Sequence, residues 1–207
     1  MSEPVIILAN GRFPKSGLAL GYLNNAGRIV CCDGSVVKLI EYGLEPWAIA
    51  GDLDSVPENI RKKYAGKLHQ SGDQETNDLT KAVRFCIKQG ITDIVILGAT
   101  GLREDHSLGN ISLLADYAES VSVKMVTDYG IFIPARPGTS ISSWPGQQVS
   151  IFAMDKGMLI SSTGLKYPLN NTELQNWWMG TLNECTGDSF SLNFDHGRAL
   201  VFLEIPT

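Results

Sequence analysis

Three short runs are the most informative candidates for chemistry in the chain: Gly51-Asp52-Leu53-Asp54-Ser55, Asp73-Gln74-Glu75-Thr76-Asn77-Asp78 and Arg103-Glu104-Asp105-His106. Each stands where a strand-like segment gives way to a helix-like one. In an open α/β sheet, turns at the carboxyl ends of strands share one crevice, so the runs can converge there. Several carboxylates beside an arginine and a histidine suit a hard divalent cation carrying a polyphosphate. That combination points to an enzyme.

Taken singly, each run keeps two readings. Asp52 follows Trp47-Ala48-Ile49-Ala50. On a still-extended backbone Asp52 and Asp54 would point the same way and grip one cation, with Gly51 admitting a close backbone approach. Equally, Asp54 or Ser55 would cap a helix over 57–64. In the second run, Thr76, Asn77 or Asp78 makes a good helix cap. The functional alternative is Asp78 on metal or hydroxyl and Lys81, one turn on, against phosphate. Gly98-Ala99-Thr100-Gly101 follows the run 93–97, and Gly98 and Gly101 would let backbone N–H groups turn toward a phosphate. The Gly-Lys-Ser/Thr ending of a Walker loop is absent. Arg103 would neutralise phosphate charge and Asp105 would add a cation contact, against a simple surface pair. His106 reads as a supporting residue.

These runs need a scaffold, and apolar segments supply it. Strands are expected at 5–9, 28–32, 47–50, 67–70, 93–97 and 121–126, with 67–70 the least pronounced. The clearest helix starts near Asn77, where Leu79, Ala82, Val83 and Cys86 follow helical spacing and Gly90 ends the run. A second helix is expected after Asp105, with Leu108, Ile111, Ala115 and Ala118 on one face. Past Asp128 the long helical periods stop. Short apolar or alternating runs at 131–133, 148–153, 157–161, 189–194 and 199–205 are divided by turn residues, the pattern of an antiparallel β domain. The chain thus reads as an α/β domain over 1–128 and a β domain over 129–207.

Composition narrows the partners. The chain has 207 residues, 43% hydrophobic and 19% charged, with a net charge of −5. No basic face is visible to displace counterions from nucleic acid, and no apolar run is long enough to cross a bilayer. The opening Met1-Ser2-Glu3-Pro4 lacks a basic leader, so the first apolar run reads as a buried strand. Cys31, Cys32, Cys86 and Cys185 show no metal or redox spacing, and reduced thiols in a cytoplasmic protein fit them.

The ordered elements together resemble the thiamine pyrophosphokinase family over nearly the whole chain. They are Ala9-Asn10-Gly11, Cys32-Asp33-Gly34, the 51–55 run, Asp73-Gln74 with Asp78 and Lys81, and Gly98 to Gly101 with Arg103, Asp105, His106 and Asn110. Gly164-Leu165-Lys166-Tyr167-Pro168-Leu169 and Gly180-Thr181-Leu182-Asn183-Glu184 complete the series. The resemblance implies an ATP-binding α/β domain with a mainly parallel sheet, a thiamine-binding β-sandwich, and a homodimer with active sites in clefts between subunits. It also implies transfer of the pyrophosphoryl group of Mg²⁺-ATP to thiamine, giving thiamine diphosphate and AMP.

By the same resemblance Asp52, Asp54, Asp78 and Asp105 belong to the acidic cluster around Mg²⁺-ATP, with Asp52, Asp54 and Asp78 as metal ligands. Arg103 is the phosphate-side arginine. Asp33, Gly34, Asn77, Lys81, Gly98 and Gly101 line the ATP side, and Thr181, Asn183 and Trp178 the thiamine side. Trp177 and Trp178 offer a stacking face or, equally, core aromatics of the β domain. The family's Gly-x-Ser-Asn pattern is altered here by Leu182, and Asn77 stands where many members carry Thr. Two other readings remain: a phosphohydrolase with Asp52 as nucleophile and Asp54 as acid, and a nucleotide- or thiamine-binding regulator without turnover.

Overall fold

Stretches of four or five apolar residues, too short for helices, build the centre of the first half. The structure, a computed structural model, describes residues 3–206; Met1 and Ser2, part of the opening read against a leader, lie outside them. The chain divides into two compact units that meet in sequence at Asp128 and Tyr129.

Unit 1 runs β1 (Val5–Leu8), α1 (Gly17–Asn24), β2 (Ile29–Cys32), α2 (Ser35–Glu41), β3 (Ala48–Gly51) and α3 (Glu58–Lys63). It continues with β4 (Leu68–Gln70), α4 (Asp78–Lys88), β5 (Asp93–Leu97), α5 (Glu104–Ser112), α6 (Leu114–Tyr117) and β6 (Ser122–Val126). The strands pair in parallel in the order β6-β5-β1-β2-β3-β4. β1, β2 and β3 are buried at every position, as strands covered on both faces must be. The chain steps outward from β1 to β4, then returns to the other side of β1 as β5. That reversal leaves a crevice beyond the carboxyl ends of β1 and β5.

α4 is amphipathic and buries Leu79, Ala82, Val83 and Cys86, the residues its spacing picks out. Asn77 caps it by accepting from the Thr80 N–H at 2.9 Å. Gly90 sits just past it at φ +74°, a conformation that costs glycine little. The next helical segment departs from its expected pattern. α5 begins at Glu104, buries nothing and gives way to α6 after Ser112. Leu108 therefore faces solvent, and the buried anchors are Leu114, Ala115 and Tyr117. Without one continuous helix, 108 and 115 have no common face.

Unit 2 consists of β7 (Gly130–Ala135), β8 (Ser140–Ser142), β9 (Gln148–Ala153), β10 (Leu159–Thr163), β11 (Thr172–Glu173), β12 (Asn183–Glu184), β13 (Ser189–Phe194) and β14 (Ala199–Glu204). One antiparallel sheet runs β12-β9-β14-β7 and the other β11-β10-β13-β8. Alternate residues of both sheets, Val149, Ile151, Val201 and Leu203 against Ile160, Phe190, Leu192 and Phe194, form one core, so the unit is a β-sandwich. The run expected at 157–161 begins at Leu159, because Gly157 turns the chain at φ +75°. Residues 140–142, 172–173 and 183–184 are too short for alternation to reveal.

Buried acidic protons make the fold sensitive to alkali. Burial pushes the Cys31 and Cys86 thiols from 9.0 up to about 12 and the Tyr117 phenol from 10.0 up to about 12. Folded values above unfolded ones mean that this stability is complete below pH 9 and lost as pH rises toward 12. Each unit of the gap is worth about 1.4 kcal/mol, and an ordinary domain has about 5–15 kcal/mol in total. The urea midpoint is expected to hold from about pH 7.5 to 8.5 and to fall steeply above about pH 9.5. A flat profile to about pH 11 would mean that these protons stay accessible.

Candidate active site

The carboxyl ends of β1, β2, β3 and β5, with the loop before α4, surround a cavity of about 480 Å³. Asp33, Asp52, Asp54, Asn77, Asp78, Lys81, Arg103, His106 and Asn110 all line it. Each run thus reaches the crevice, the third through Arg103 and His106, while Asp105 does not line the cavity.

Asp33, Asp52 and Asp54 each bring a carboxylate oxygen within 4.8 Å of the others. The route differs from an extended strand end. Leu53 is left-handed at φ +67°, so the chain turns between the two aspartates. Asp52 accepts the Asp54 N–H at 3.2 Å, and the Gln70 amide donates to the Asp52 carbonyl at 2.9 Å. Arg61 donates to the Leu53 and Val56 carbonyls, locking the turn from outside. Arg61, first of the consecutive bases Arg61-Lys62-Lys63, is therefore a structural cation. Neither Asp54 nor Ser55 caps α3; Pro57 stands at that position.

Asp33 is 4% exposed and also left-handed, at φ 44°. One of its oxygens accepts the Ser55 N–H at 3.2 Å, and the other, Oδ1, is buried without a hydrogen-bond partner. Burial, with Asp78 and Asp52 nearby, raises the pKa of this carboxyl. Asp54 shifts the opposite way, lowered first by the Ser55 hydroxyl. A Cβ on Gly51 would come within 3.1 Å of the Asp33 Cβ and 3.3 Å of Asp78 Oδ1. Glycine at 51 thus lets the Asp33 side chain and the Asp78 carboxylate pack close against the backbone.

Asp78 meets Lys81 Nζ at 3.0 Å, and Asp52 lies 3.7 Å from the same ammonium. Burial opposes the Lys81 charge, but the two carboxylates outweigh it and raise its pKa. Across the cavity, Arg103 grips Asp105 through two hydrogen bonds, at 3.0 and 2.5 Å. That guanidinium holds Asp105 far below the usual carboxylate range. Both side chains are well exposed, so the pair is weak and open to exchange with a ligand.

Two carboxamides tie these parts together. The Asn77 amide donates to Asn110 Oδ1 at 3.2 Å, and the Asn110 amide donates to the Ala99 carbonyl at 2.8 Å. The cap of α4 is thereby linked to the loop after β5, where Gly98 and Gly101 are left-handed at φ 65° and 87°. Asp73 orders the loop before α4, accepting from Glu75 N–H, the Thr76 hydroxyl and Arg84. Gly34 packs against Asn10 and Ser55, where a Cβ would be 3.0 Å from the Asn10 amide.

In unit 2, Trp178 is 74% exposed, and the Thr181 hydroxyl donates to its carbonyl at 2.7 Å. Asn183 is buried and ties its strand to the loop that carries Tyr167. Its Oδ1 accepts from the Tyr167 and Glu184 N–H groups, and its amide donates to the Tyr167 carbonyl. Leu182 is left-handed at φ 57° and largely exposed, with its N–H on the Ser150 hydroxyl. Trp177 packs edge-on to Phe152 and donates to the Ala153 carbonyl. Trp178 is therefore presented, whereas Thr181 and Asn183 shape the turn beside it.

The amide link makes a specific demand. Asn110→Ala removes both hydrogen bonds without touching a carboxylate. ATP affinity, read by calorimetry, is expected to fall about tenfold through misregistered loops, with a melting temperature only a few degrees lower. Unchanged ATP affinity would show that the two loops hold their register without the link.

Comparison with known proteins agrees with this geometry. Residues 20–126 match the model "Thiamin pyrophosphokinase, catalytic domain", and residues 130–202 match "Thiamin pyrophosphokinase, substrate-binding domain". The chain is 29% identical over 179 residues to Thiamin pyrophosphokinase 1 of Caenorhabditis elegans, covering 79% of this chain and 73% of that protein. It is 28% identical over 162 residues to Thiamine pyrophosphokinase of Bacillus subtilis (strain 168), covering 74% and 76%. The crystal structure of the Bacillus subtilis protein superposes with a TM-score of 0.79 at 23% identity, over 99% of this chain and all of that one. An Enterococcus faecalis family protein gives 0.80 at 19% identity, again over 99% of this chain. At those identities the structures speak for the fold alone. The two family models span the acidic cavity and the sandwich in turn, and the chain belongs to the thiamin pyrophosphokinase family.

Proposed function

We propose that the acidic cavity of unit 1 binds Mg²⁺-ATP and that unit 2 supplies the thiamine contacts for the diphosphokinase activity of the family. The observation that carries this reading is the cluster of Asp33, Asp52 and Asp54, with a buried Asp33 oxygen left without a partner. Three hard oxygen donors, one unsatisfied, fit Mg²⁺ or a similar cation. Asp33, Asp52 and Asp54 would hold it, with Asp78 as the fourth carboxylate at the same corner. Bound there, the cation supplies charge neutralisation for the phosphate oxygens.

The reaction joins the thiamine hydroxyl oxygen to the β-phosphorus of ATP and breaks the bond from that phosphorus to the α-phosphate oxygen. AMP leaves with the bonding electrons, and the hydroxyl proton passes to solvent or a nearby carboxylate. Such transfers rest mainly on alignment and charge neutralisation. Lys81 is held by Asp78 and Asp52 until phosphate oxygens compete for it. Arg103 can trade its exposed partner Asp105 for a phosphate, which frees Asp105 toward the cation or the hydroxyl. The Gly98 to Gly101 turn and Asn77 position the phosphate chain, and Asp33 and Gly34 form the nucleotide-side turn.

On the acceptor side, exposed Trp178 offers an aromatic face to a cationic ring system. Thr181 and Asn183 fix the turn that presents it. The exposed Tyr167, Trp178, Met179 and Leu182 in one unit support a homodimer, since apolar surface of this kind usually marks an interface. Among the described residues no helix is long and apolar enough to cross a membrane. The four cysteines are free and buried, which supports a reducing, cytoplasmic setting.

Purified protein with Mg²⁺, ATP and thiamine is expected to release AMP and thiamine diphosphate in equal amounts. Asp52→Asn keeps the shape but removes a charge, and turnover is expected to fall by about 10²–10⁴-fold while the fold survives. Near-normal turnover in that variant would sink the cation role of Asp52. Phosphate release from monoesters would favour the hydrolase, and ATP binding without either product the regulator.

A further inference from the structure

The cations around the cavity are nearly all committed. Lys81 is held by Asp78 and Asp52, Arg103 by Asp105, and Arg84 by Asp73. Lys38 spends its ammonium on two backbone carbonyls, Asn10 at 3.2 Å and Gly11 at 2.7 Å. Arg12 differs. Among the described residues its guanidinium has no carboxylate partner and no hydrogen bond.

Its position is built rather than incidental. The loop after β1 is pinned to the loop after β5 by Gly11 N–H on the Gly98 carbonyl at 2.7 Å and Arg12 N–H on the Thr100 carbonyl at 2.8 Å. Lys38 braces the same loop from the other side. The Arg12 side chain lies across Gly101, where an added Cβ would meet the Arg12 Cβ at 2.9 Å and its Nε at 3.4 Å. A Cβ on Gly11 would collide with the Gly98 carbonyl at 2.4 Å, so the close approach of the loops requires glycine there. Gly11, Thr100, Leu102 and Arg103, all around Arg12 and Gly101, line the cavity. Arg12 and Gly101 do not line the cavity themselves, but residues on either side of each do, so an uncompensated guanidinium is anchored just outside its edge, against a left-handed Gly101.

We infer that Arg12 is a further binding residue for the polyphosphate, acting with Arg103 from the neighbouring strand end of the crevice. The inference deepens the Mg²⁺-ATP reading and rests on it. The cavity concentrates negative charge, so an approaching polyphosphate is repelled unless free cations stand at its rim. Arg12 meets that need without first surrendering an ion pair. Its planar fork also suits two phosphate oxygens at once.

The test is calorimetric binding of Mg²⁺-ATP and of Mg²⁺-tripolyphosphate to the wild type, Arg12→Ala and Arg12→Lys, with steady-state rates alongside. Arg12 is exposed, so both variants should fold, and circular dichroism with the melting temperature checks this. Arg12→Ala is expected to weaken both ligands by about tenfold or more, and Arg12→Lys by less. The KM for thiamine should not move. Equal affinity of wild type and Arg12→Ala for both ligands, within twofold, would overturn the inference, as would a loss confined to ATP. If the wild type binds Mg²⁺-ATP but forms no thiamine diphosphate, the activity reading fails and the binding comparison still decides Arg12. If the wild type binds neither ligand, both readings fall.

Discussion

Four carboxylates crowd one half-dry corner of unit 1, and the surrounding structure is arranged to keep them there. Asp33, Asp52, Asp54 and Asp78 repel one another, and Lys81 is the cation inside the cluster. Left to itself such a group would splay or take up protons. Burial raises the pKa of Asp33, with smaller contributions from Asp78 and Asp52, whereas the Ser55 hydroxyl lowers that of Asp54. The site is held open to a cation by backbone geometry. Gly51 admits the approach, Leu53 turns the chain, Arg61 locks the turn and Asn77 anchors the helix that bears Asp78.

The cavity separates fixed from exchangeable contacts. On its floor, Asp33 is buried and the 51–55 turn is pinned by Arg61 and Gln70. At its rim, Arg103 and Asp105 form an exposed pair whose partners are easily replaced. That division suits a reaction in which a highly charged substrate must be bound, aligned and released. Unit 2 follows a similar plan, with Asn183 sealed into its scaffold while Trp178 and left-handed Leu182 stand outward. A non-glycine residue kept in that conformation is paid for by the packing around it.

Much of the scaffold was legible. The apolar runs at 93–97, 148–153 and 189–194 coincide with β5, β9 and β13, because strands this apolar have few other places to go. The cap at Asn77 and the stripe of α4 also follow from residue type and spacing. What failed did so for local reasons. β8, β11 and β12 are too short to alternate, and the 104–117 stretch breaks into two helices that share no face. In the site, only the resemblance placed Asp33 on the ATP side; nothing along the sequence shows that it is buried and within reach of Asp52 and Asp54.

By itself the sequence determined which residues end strands, which cap helices and which charges lie in reach of one crevice. These follow from local preference and from the topology that alternating strands and helices impose. Only the tertiary structure decided which distant groups meet: Lys81 with Asp52, the Ser55 N–H with Asp33, Asn77 with Asn110, and Arg12 with none of the described residues. Pairing depends on distances of a few ångströms between segments far apart in the chain. A shift of one residue in a loop changes those distances without changing any pattern along the sequence.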